Sequence, residues 1–301
     1  MNGHRALPGA ALGVGVVAIS WSAILIREAD ASALVIGSYR MVLASLPVGL
    51  LALVQHRRAP EPVSRGTVLP LLLSGLFLAA HFGFWITAVQ RTSVVTAVVL
   101  VAAQPLYVAL AAPLLLGERV DRRLWASFAI AAAGALIMAS GDFGEGSETI
   151  TGDVYAVLGG LCAAGYIIIG RRVRPSTSWI RYVGVVYPVT AVLLLAATLA
   201  AGDALTGYST KTLVMMGMMA LGPQLIGHNA INWALAYLPA VVIAIAILAE
   251  PVGTTALAAL VLDEFPSALQ LIGGVVVLTG VYLALRAEQE APAAAEISAG
   301  D

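Results

Sequence analysis

Charged residues are scarce in this sequence. Only 11% of its 301 residues are Asp, Glu, Lys or Arg, whereas 60% are hydrophobic. A soluble domain of this size needs many more charged side chains on its surface, so the composition excludes a water-soluble protein. The formal net charge of -1 at pH 7 favours no charged partner. The chain is therefore predicted to be an integral membrane protein with the lipid bilayer as a partner.

Cysteine and basic clusters are scarce as well. The single cysteine, Cys162, excludes an intramolecular disulfide framework. The arginines are scattered through short connections and form no single patch. A nucleic-acid partner is therefore not expected, because nucleic-acid-binding proteins concentrate positive charge on one surface.

Motifs of catalysis are also missing. The sequence has no Walker-type phosphate loop, no His or Cys pair at zinc-site spacing and no Gly-x-Ser-x-Gly elbow. We therefore expect no cofactor, no metal site and no catalytic residue. Two other readings stay open: an intramembrane enzyme built on His81, His228 and Glu250, and a membrane receptor that binds a ligand without moving it.

Long apolar stretches dominate the chain instead. An α-helix needs about 20 apolar residues to cross a bilayer. Ten stretches approach this length, at residues 7–26, 33–54, 68–89, 94–116, 124–140, 154–170, 179–201, 213–236, 240–262 and 268–285. The sequence thus predicts an all-α integral membrane protein with ten transmembrane helices.

The two halves of the chain repeat each other. Ala103-Gln104-Pro105 returns 146 residues later as Ala249-Glu250-Pro251, and the predicted N-caps Asp121 and Ser267 have the same offset. Ser267 and Gln270 also have the spacing of a capping box. We predict a first five-helix repeat at residues 1–145, a second at 146–286, and a mobile tail at 287–301.

An odd number of helices in each repeat makes the second repeat enter the membrane in the opposite direction. The sequence therefore predicts an inverted repeat, an architecture that is typical of transporters with a substrate site near the bilayer midplane.

The orientation follows from the positive residues, which are retained on the cytoplasmic side. The connections on the side of the N-terminus carry twelve arginines, against three positive residues on the other side. The connection at residues 141–153 is acidic, with Asp142, Glu145, Glu148 and Asp153. We expect a multi-pass protein of a bacterial-type cytoplasmic (inner) membrane with both termini in the cytoplasm.

Several motifs together resemble one family. In the first half they are Tyr39-Arg40, His81-Phe82-Gly83-Phe84-Trp85, Arg91-Thr92-Ser93-Val94-Val95, Gln104-Pro105 and Leu116-Gly117-Glu118; in the second half they are Asn232-Trp233-Ala234-Leu235-Ala236-Tyr237, Glu250-Pro251 and Asp263-Glu264. Asp263 stands where a glycine is more usual.

Over residues 7–285 this pattern resembles the EamA family of the drug/metabolite transporter superfamily. The resemblance implies secondary export of small amphiphilic metabolites by alternating access around a midplane cavity. It extends to amino-acid exporters of the YddG type, which favours amino acids, including aromatic and other apolar ones, over another metabolite or drug class. A small-molecule substrate and a functional monomer are expected, while coupling to protons stays open.

The proline segments supply the first candidate pathway residues. Pro105 and Pro251 cannot donate a backbone hydrogen bond, so each is expected to break its helix and free a carbonyl. Glu250 could bind a substrate ammonium or a proton, or be a permanently protonated structural carboxyl. Gln104 is its neutral counterpart and is expected to line the pathway.

The third helix of each repeat presents imidazole groups. His81 and Trp85 are four residues apart, as are His228 and Asn232, and each pair therefore shares a helix face. Asn229 and Trp233 form a neighbouring pair. Such rows suit a ligand with an apolar body and a polar head, although a histidine on an apolar face is often structural.

Four further residues are candidates with a second reading. Trp21 and Tyr166 either line the pathway or belong to an interfacial aromatic belt. Tyr39 is included because it matches the family pattern beside Arg40. Arg40 either snorkels outward or holds a carboxylate, of the substrate or of an acidic residue.

Overall fold

The computed structural model describes residues 3–58, 65–92, 94–101, 103–118, 120–139, 147–261, 265 and 267–298. These residues form helices joined by short turns, and no strand occurs among them. The α-helices are α1 (Gly3–Glu28), α2 (Ala33–Arg58), α3 (Arg65–Arg91), α4 (Val94–Val101), α5 (Gln104–Leu115), α6 (Arg122–Ala139), α7 (Ser147–Val173), α8 (Trp179–Ala200), α9 (Thr210–Met219), α10 (Asn229–Ala234), α11 (Ala240–Ile247), α12 (Glu250–Val261) and α13 (Ala268–Ser298).

Seven stretches of the described chain are long and apolar enough to cross a membrane: Leu7–Glu28, Ala33–Arg58, Gly66–Arg91, Ile150–Ser176, Trp179–Ala200, Ala240–Val261 and Ala268–Ala287. The helix Gln104–Leu115 is apolar but shorter. Of the ten predicted spans, the fourth, fifth and eighth are not among these seven. The fourth and eighth are interrupted, the fifth corresponds to α6, and the ninth is broken between α11 and α12 although it is long enough. The structure therefore supports an all-helical membrane fold without showing ten uninterrupted spans.

The two proline segments break their helices in the same way. Between α4 and α5, Ala103 N–H donates to the Leu100 carbonyl at 3.2 Å, and between α11 and α12, Ala249 N–H donates to the Ala246 carbonyl at 3.1 Å. Each bond spans three residues, and the two bonds are 146 residues apart. The predicted breaks are therefore confirmed, and each consists of a tightened turn ahead of a proline.

The predicted eighth helix is divided by a π-helix at Ala220–His228, between α9 and α10. Pro223 lies inside this segment and has no N–H to offer the carbonyl four residues earlier. The wider π turn changes which faces the following side chains occupy, so the helical register that the sequence predicts for this span does not hold.

Both predicted N-caps are confirmed. Asp121 Oδ1 accepts from the backbone N–H of Leu124 at 2.8 Å. Ser267 Oγ accepts from Gln270 N–H at 3.2 Å, and Gln270 Oε1 accepts from Ser267 N–H at 2.8 Å, which completes a capping box.

The helices α6 and α13 pack closely and antiparallel through two glycines. A Cβ on Gly134 would lie 2.5 Å from the backbone N of Val277 and 2.7 Å from the carbonyl of Gly273. A Cβ on Gly280 would lie 2.6 Å from the N of Ala131 and 2.7 Å from the carbonyl of Ser127. When 146 is subtracted from the number of each α13 residue, the two sets of contacts become the same: position 134 meets positions 131 and 127 in both.

The remaining helix contacts have the same reciprocity. The helix α3 packs along α7, and the equivalent helix of the second half, formed by α9, the π-helix and α10, packs along α1. The helices α4 and α5 lie against α7, while α11 and α12 lie against α1. The pair α2 and α8 packs directly.

The C-terminal segment is described up to residue 298, and several residues of two predicted connections are not described. The helix α13 continues to Ser298, so the segment after residue 287 is helical where it is described, and its mobility stays a prediction. The motif residues Asp263 and Glu264, the acidic residues Asp142 and Glu145, and Arg119 lie outside the described residues.

Replacing Gly134 tests the contact between α6 and α13. We expect Gly134→Ala and Gly280→Ala each to lower the unfolding free energy by about 1–3 kcal/mol, because the added methyl group collides with backbone atoms. Thermal unfolding in detergent would measure this loss. Gly13→Ala is the matched control, since no atom lies within 4 Å of its Cβ position. Equal melting of the Gly134 and Gly13 variants would contradict the packing.

Candidate functional site

A small cavity lies beside the two helix breaks. Seven of the predicted pathway residues line it: Arg40, His81, Trp85, Gln104, Tyr166, His228 and Glu250. The rest of its wall includes Ser22 and apolar side chains, among them Ile19, Phe82, Val98, Val101, Ile167, Ile231 and Ile247. The space in which a water-sized molecule can be centred is about 50 Å³. This conformation therefore has room for only a few water molecules.

The guanidinium of Arg40 forms one wall of the cavity. The residue is 1% exposed, so of the two alternatives for Arg40 the one in which its side chain snorkels outward is wrong. Its Nε donates to Oε1 of Gln224 at 2.9 Å, and its Nη1 lies 3.4 Å from Oγ of Ser22. Its Cζ lies 4.2 Å from the centre of the Phe82 ring, a cation–π distance. These partners hold the charge inward because they offset part of its lost hydration.

The atom Nη2 of Arg40 is different from the other guanidinium nitrogens. It is buried and has no hydrogen-bond partner among the described residues. Two more nitrogens of cavity-lining side chains are buried without a partner in the described part of the chain, namely Nε2 of Gln104 and Nδ1 of His228. Buried polar groups are nearly always paired, so such a cluster indicates positions that a ligand or water occupies.

The two residues before the prolines both line the cavity. Gln104 is 3% exposed, whereas Glu250 is half-buried. The Ser20 hydroxyl of α1 lies 3.4 Å from the Glu250 carbonyl, and Thr254 donates to the Ser20 carbonyl at 3.0 Å. Helix α1 therefore fixes the break that positions the Glu250 carboxyl group.

The two histidines have unequal surroundings. Nδ1 of His81 donates to the carbonyl of Gly159 at 2.9 Å, which fixes its ring against α7. The ring of His228 stands edge-on to Phe82, with 5.3 Å between the ring centres. His81 is thus anchored to the opposite repeat, while Nδ1 of His228 is left for a further contact.

The two asparagines lie behind the cavity wall. Asn232 Oδ1 accepts from the Tyr166 hydroxyl at 2.5 Å, and Asn229 Oδ1 accepts from the Tyr187 hydroxyl at 2.7 Å. Asn232 Nδ2 reaches the Tyr187 hydroxyl at 3.3 Å. These bonds position Tyr166, which itself lines the cavity, so the asparagines support the wall and do not contact the cavity directly.

Three predicted pathway residues lie elsewhere. Tyr39 donates to the carbonyl of Leu205 at 2.6 Å, in the connection between α8 and α9. Trp233 packs on Tyr237 with 4.7 Å between ring centres, beside a surface recess. Trp21 is partly buried against the hydrophobic core. None of these three residues lines the cavity.

Several residues of this site were not predicted from the sequence. Gln224, Ser22 and Phe82 hold Arg40, and Tyr187 supports the asparagines. A signal for Gln224 was present, because Gly222-Pro223 inside an apolar helix predicts a distortion, and π-helices often occur at functional sites. Phe82 lies in the motif that carries the family resemblance but was not singled out as a candidate, and Ser22 and Tyr187 had no signal beyond lying in apolar helices.

A second polar cluster joins the two halves at one end of the bundle. Glu118, after α5, accepts from Nε of Arg171 at 2.5 Å and from the backbone N–H of Ala240 at 3.0 Å. Nη1 of Arg171 also donates to the Leu235 carbonyl at 3.1 Å. The carboxylate thus binds a cation and the N-terminus of α11 together, a favourable place for negative charge.

Comparison with known proteins now decides the family. The model of the EamA-like transporter family matches residues 6–140 and again residues 150–286. The chain belongs to the EamA-like transporter family. The family assignment makes it a multi-pass membrane transporter, not an enzyme. Within the described residues, no group of three or more His, Cys, Asp or Glu side chains could hold a metal ion.

Two similar proteins agree with this assignment. An uncharacterized transporter from Archaeoglobus fulgidus is 27% identical over 250 residues, which cover 81% of this chain and 85% of the relative. A solved crystal structure of a protein aligns with a TM-score of 0.73 and 18% identity, over 94% of this chain and 98% of the other. The latter similarity shows a shared fold alone.

Removing the Glu118 carboxylate should loosen that end of the EamA protein. In a Cys162→Ser background, Ala163→Cys places a thiol in the cavity wall. We expect Glu118→Gln to increase its labelling by a membrane-impermeant maleimide, applied from the Arg171 side, by about 2- to 5-fold, the effect of losing a partly exposed ion pair.

Glu28→Gln is the matched control for this labelling experiment. It removes a different ion pair, in which Glu28 lies 2.6 Å from Lys211. Labelling from the Arg171 side should stay at the rate of the parent protein. Equal labelling rates for the two variants would show that the Glu118 cluster does not hold this end closed.

Proposed function

We propose that the protein is a secondary exporter of small amphiphilic metabolites, with amino acids as its main substrates, aromatic and other apolar ones included. One observation carries the proposal: a small cavity lined by both halves of the chain combines a buried cation and a carboxyl group with a mostly apolar wall, and three of its nitrogens are buried without a partner among the described residues. A binding site of this kind is suited to a molecule with an apolar body and a polar head.

The proposed mechanism is alternating access around this cavity. The small volume indicates an occluded conformation, because typical ligand pockets measure about 300–1,000 Å³. Substrate must therefore enter and leave through conformations in which one end of the bundle is open. The Glu118 cluster closes one end by tying α5 to α7 and α11, and its release is the change we expect on opening there.

We infer that the fold consists of ten spans in two inverted five-helix repeats. Two family matches support the duplication. The antiparallel contact of α6 and α13 supports the inversion, since equivalent helices that pack antiparallel are related by a two-fold axis across them. The reciprocal packing of α3 on α7 and of the α9 to α10 helix on α1 supports the same axis. On this basis the interrupted helices also span the bilayer.

The inferred orientation places both termini in the cytoplasm of a cell with a bacterial-type cytoplasmic (inner) membrane. It rests on the twelve arginines along the side of the N-terminus. That side includes Arg171, so the Glu118 cluster closes the cytoplasmic end. We propose that a monomer carries out this mechanism.

Protons are candidate coupling ions through Glu250. Its half-buried carboxyl group faces the same cavity as the substrate, and a carboxyl group in such a place can exchange a proton for a cationic ligand. Competition of the two for one site would couple export of the substrate to entry of a proton.

Flux in proteoliposomes tests the proposed function. The purified full-length protein is reconstituted, and uptake of an amino-acid panel is compared with uptake by protein-free vesicles, with and without a pH gradient. We expect apolar amino acids to move faster through the protein. If no amino acid moves but other metabolites or drugs do, the protein exports a different substrate class. Saturable binding without any flux would favour a receptor.

The two residues before the prolines should differ in effect. Glu250→Gln is expected to lower amino-acid flux about 10- to 100-fold, because a charged hydrogen-bond acceptor for ammonium is lost. Gln104→Ala should lower it less than about tenfold, as a neutral hydrogen bond contributes less. Initial rates at equal protein density in the vesicles measure both. Rates like those of the unmodified protein for both variants would make Glu250 a structural residue.

A further inference from the structure

Resting on the proposed function, we propose that the cavity recognises the zwitterionic head of an α-amino acid: Nη2 of Arg40 binds its carboxylate and Glu250 binds its ammonium group. This assigns Arg40 as the carboxylate anchor of the site. The substrate class is thereby narrowed to molecules that carry both charges next to each other.

The guanidinium of Arg40 has one nitrogen free to bind a carboxylate. Gln224, Ser22 and the Phe82 ring hold Arg40 on three sides, as described above. Nη2 is the one guanidinium nitrogen left without a partner among the described residues, although it is buried. Arginine is suited to carboxylates because its planar fork presents several N–H groups at once. A carboxylate that reaches Nη2 would satisfy it without disturbing the three existing contacts.

The two ionisable side chains Arg40 and Glu250 match the two charges of a zwitterion. Among the described cavity-lining residues, Arg40 and Glu250 are the arginine and the carboxylic acid, and no ion pair joins them. A zwitterion placed between them gives each charge a partner and adds no net charge to the bilayer interior. A bare amine or a bare carboxylic acid would leave one protein charge unpaired, which is costly in a dry cavity.

The remaining cavity wall offers both polar and apolar groups. Nε2 of Gln104 is a further unpartnered donor that lines the same cavity, in the described part of the chain. Trp85, Ile167 and Ile231 present apolar surface beside these polar groups. The head of an amino acid thus finds polar partners, and an apolar side chain finds a hydrophobic surface once the cavity widens.

Analogues that lack one charge test the proposal in the unmodified protein. Leucine uptake into proteoliposomes is competed with unlabelled leucine, leucinamide, 3-methylbutylamine and 4-methylpentanoic acid. The amide and the amine lack the carboxylate, and the acid lacks the ammonium group. We expect each analogue to compete about 10- to 100-fold more weakly than leucine, the effect of one lost charge-assisted contact.

Variants of Arg40 test whether this residue causes the preference for leucine over leucinamide. Arg40→Gln should lower leucine transport about 10- to 100-fold and bring the competition by leucinamide close to that by leucine. Arg40→Lys should retain part of the preference, because it keeps the charge but loses the fork. Arg174→Gln is the matched control: Arg174 is also a buried arginine, but it donates to the carbonyls of Asn232 and Thr177. Its variant should keep the ratio of leucine to leucinamide unchanged.

The outcomes separate this proposal from the proposed function. Leucine flux with equal competition by leucinamide in the unmodified protein overturns the role of Arg40 and leaves amino-acid export standing. Retention of the full preference in Arg40→Gln has the same meaning. Failure of every amino acid to move through the unmodified protein overturns both proposals. The comparison in the unmodified protein decides the matter even where Arg40→Gln does not fold.

Discussion

The hydrocarbon core of a bilayer has no water to bind backbone carbonyls, and this constraint explains where the helices are broken. Pro105 and Pro251 remove two N–H donors, so the carbonyls they would have paired must lie against protein. The break before Pro105 lies against Gly160 of α7, where a Cβ would come within 2.8 Å of the Val101 carbonyl. Beside the break before Pro251, Ser20 Oγ of α1 lies 3.4 Å from the Glu250 carbonyl. Equivalent helices of the two halves thus cover equivalent breaks, and the cavity lies between them.

The scaffold is symmetric and its charges are not. Gly134 and Gly280 make interchangeable contacts, and the turns at Ala103 and Ala249 have the same hydrogen bond. Glu250, however, corresponds to the neutral Gln104, and Arg40 lies 146 residues before the apolar Val186. A symmetric scaffold allows two conformations of similar energy, whereas the unequal residues give the cavity an arginine in one part of its wall and a carboxyl group in another. This division suits a transporter that returns to its starting state and holds one kind of polar head.

Structural features that depend on neighbouring residues along the chain can be predicted from the sequence. Caps such as Asp121 and Ser267, the proline breaks and the repeat itself depend on residue type and spacing, and the structure agrees with them. The environment of Arg40 depends on Gln224, 184 residues away, and no local pattern contains that distance. The burial of its side chain and the position of Trp233 after the π-helix were therefore beyond the sequence. His81 and Trp85 reached the cavity together because four-residue spacing holds in a regular helix.

The central claim is that an amino acid is held between Arg40 and Glu250 in the cavity of an inverted-repeat transporter. An experimental structure of the full-length protein, determined with leucine at saturating concentration, tests it most directly. The account predicts leucine in the cavity, with its carboxylate against Nη2 of Arg40, its ammonium group against Glu250 and its side chain towards Trp85. Leucine bound outside this cavity, or inside it with its carboxylate away from Arg40, would contradict the account.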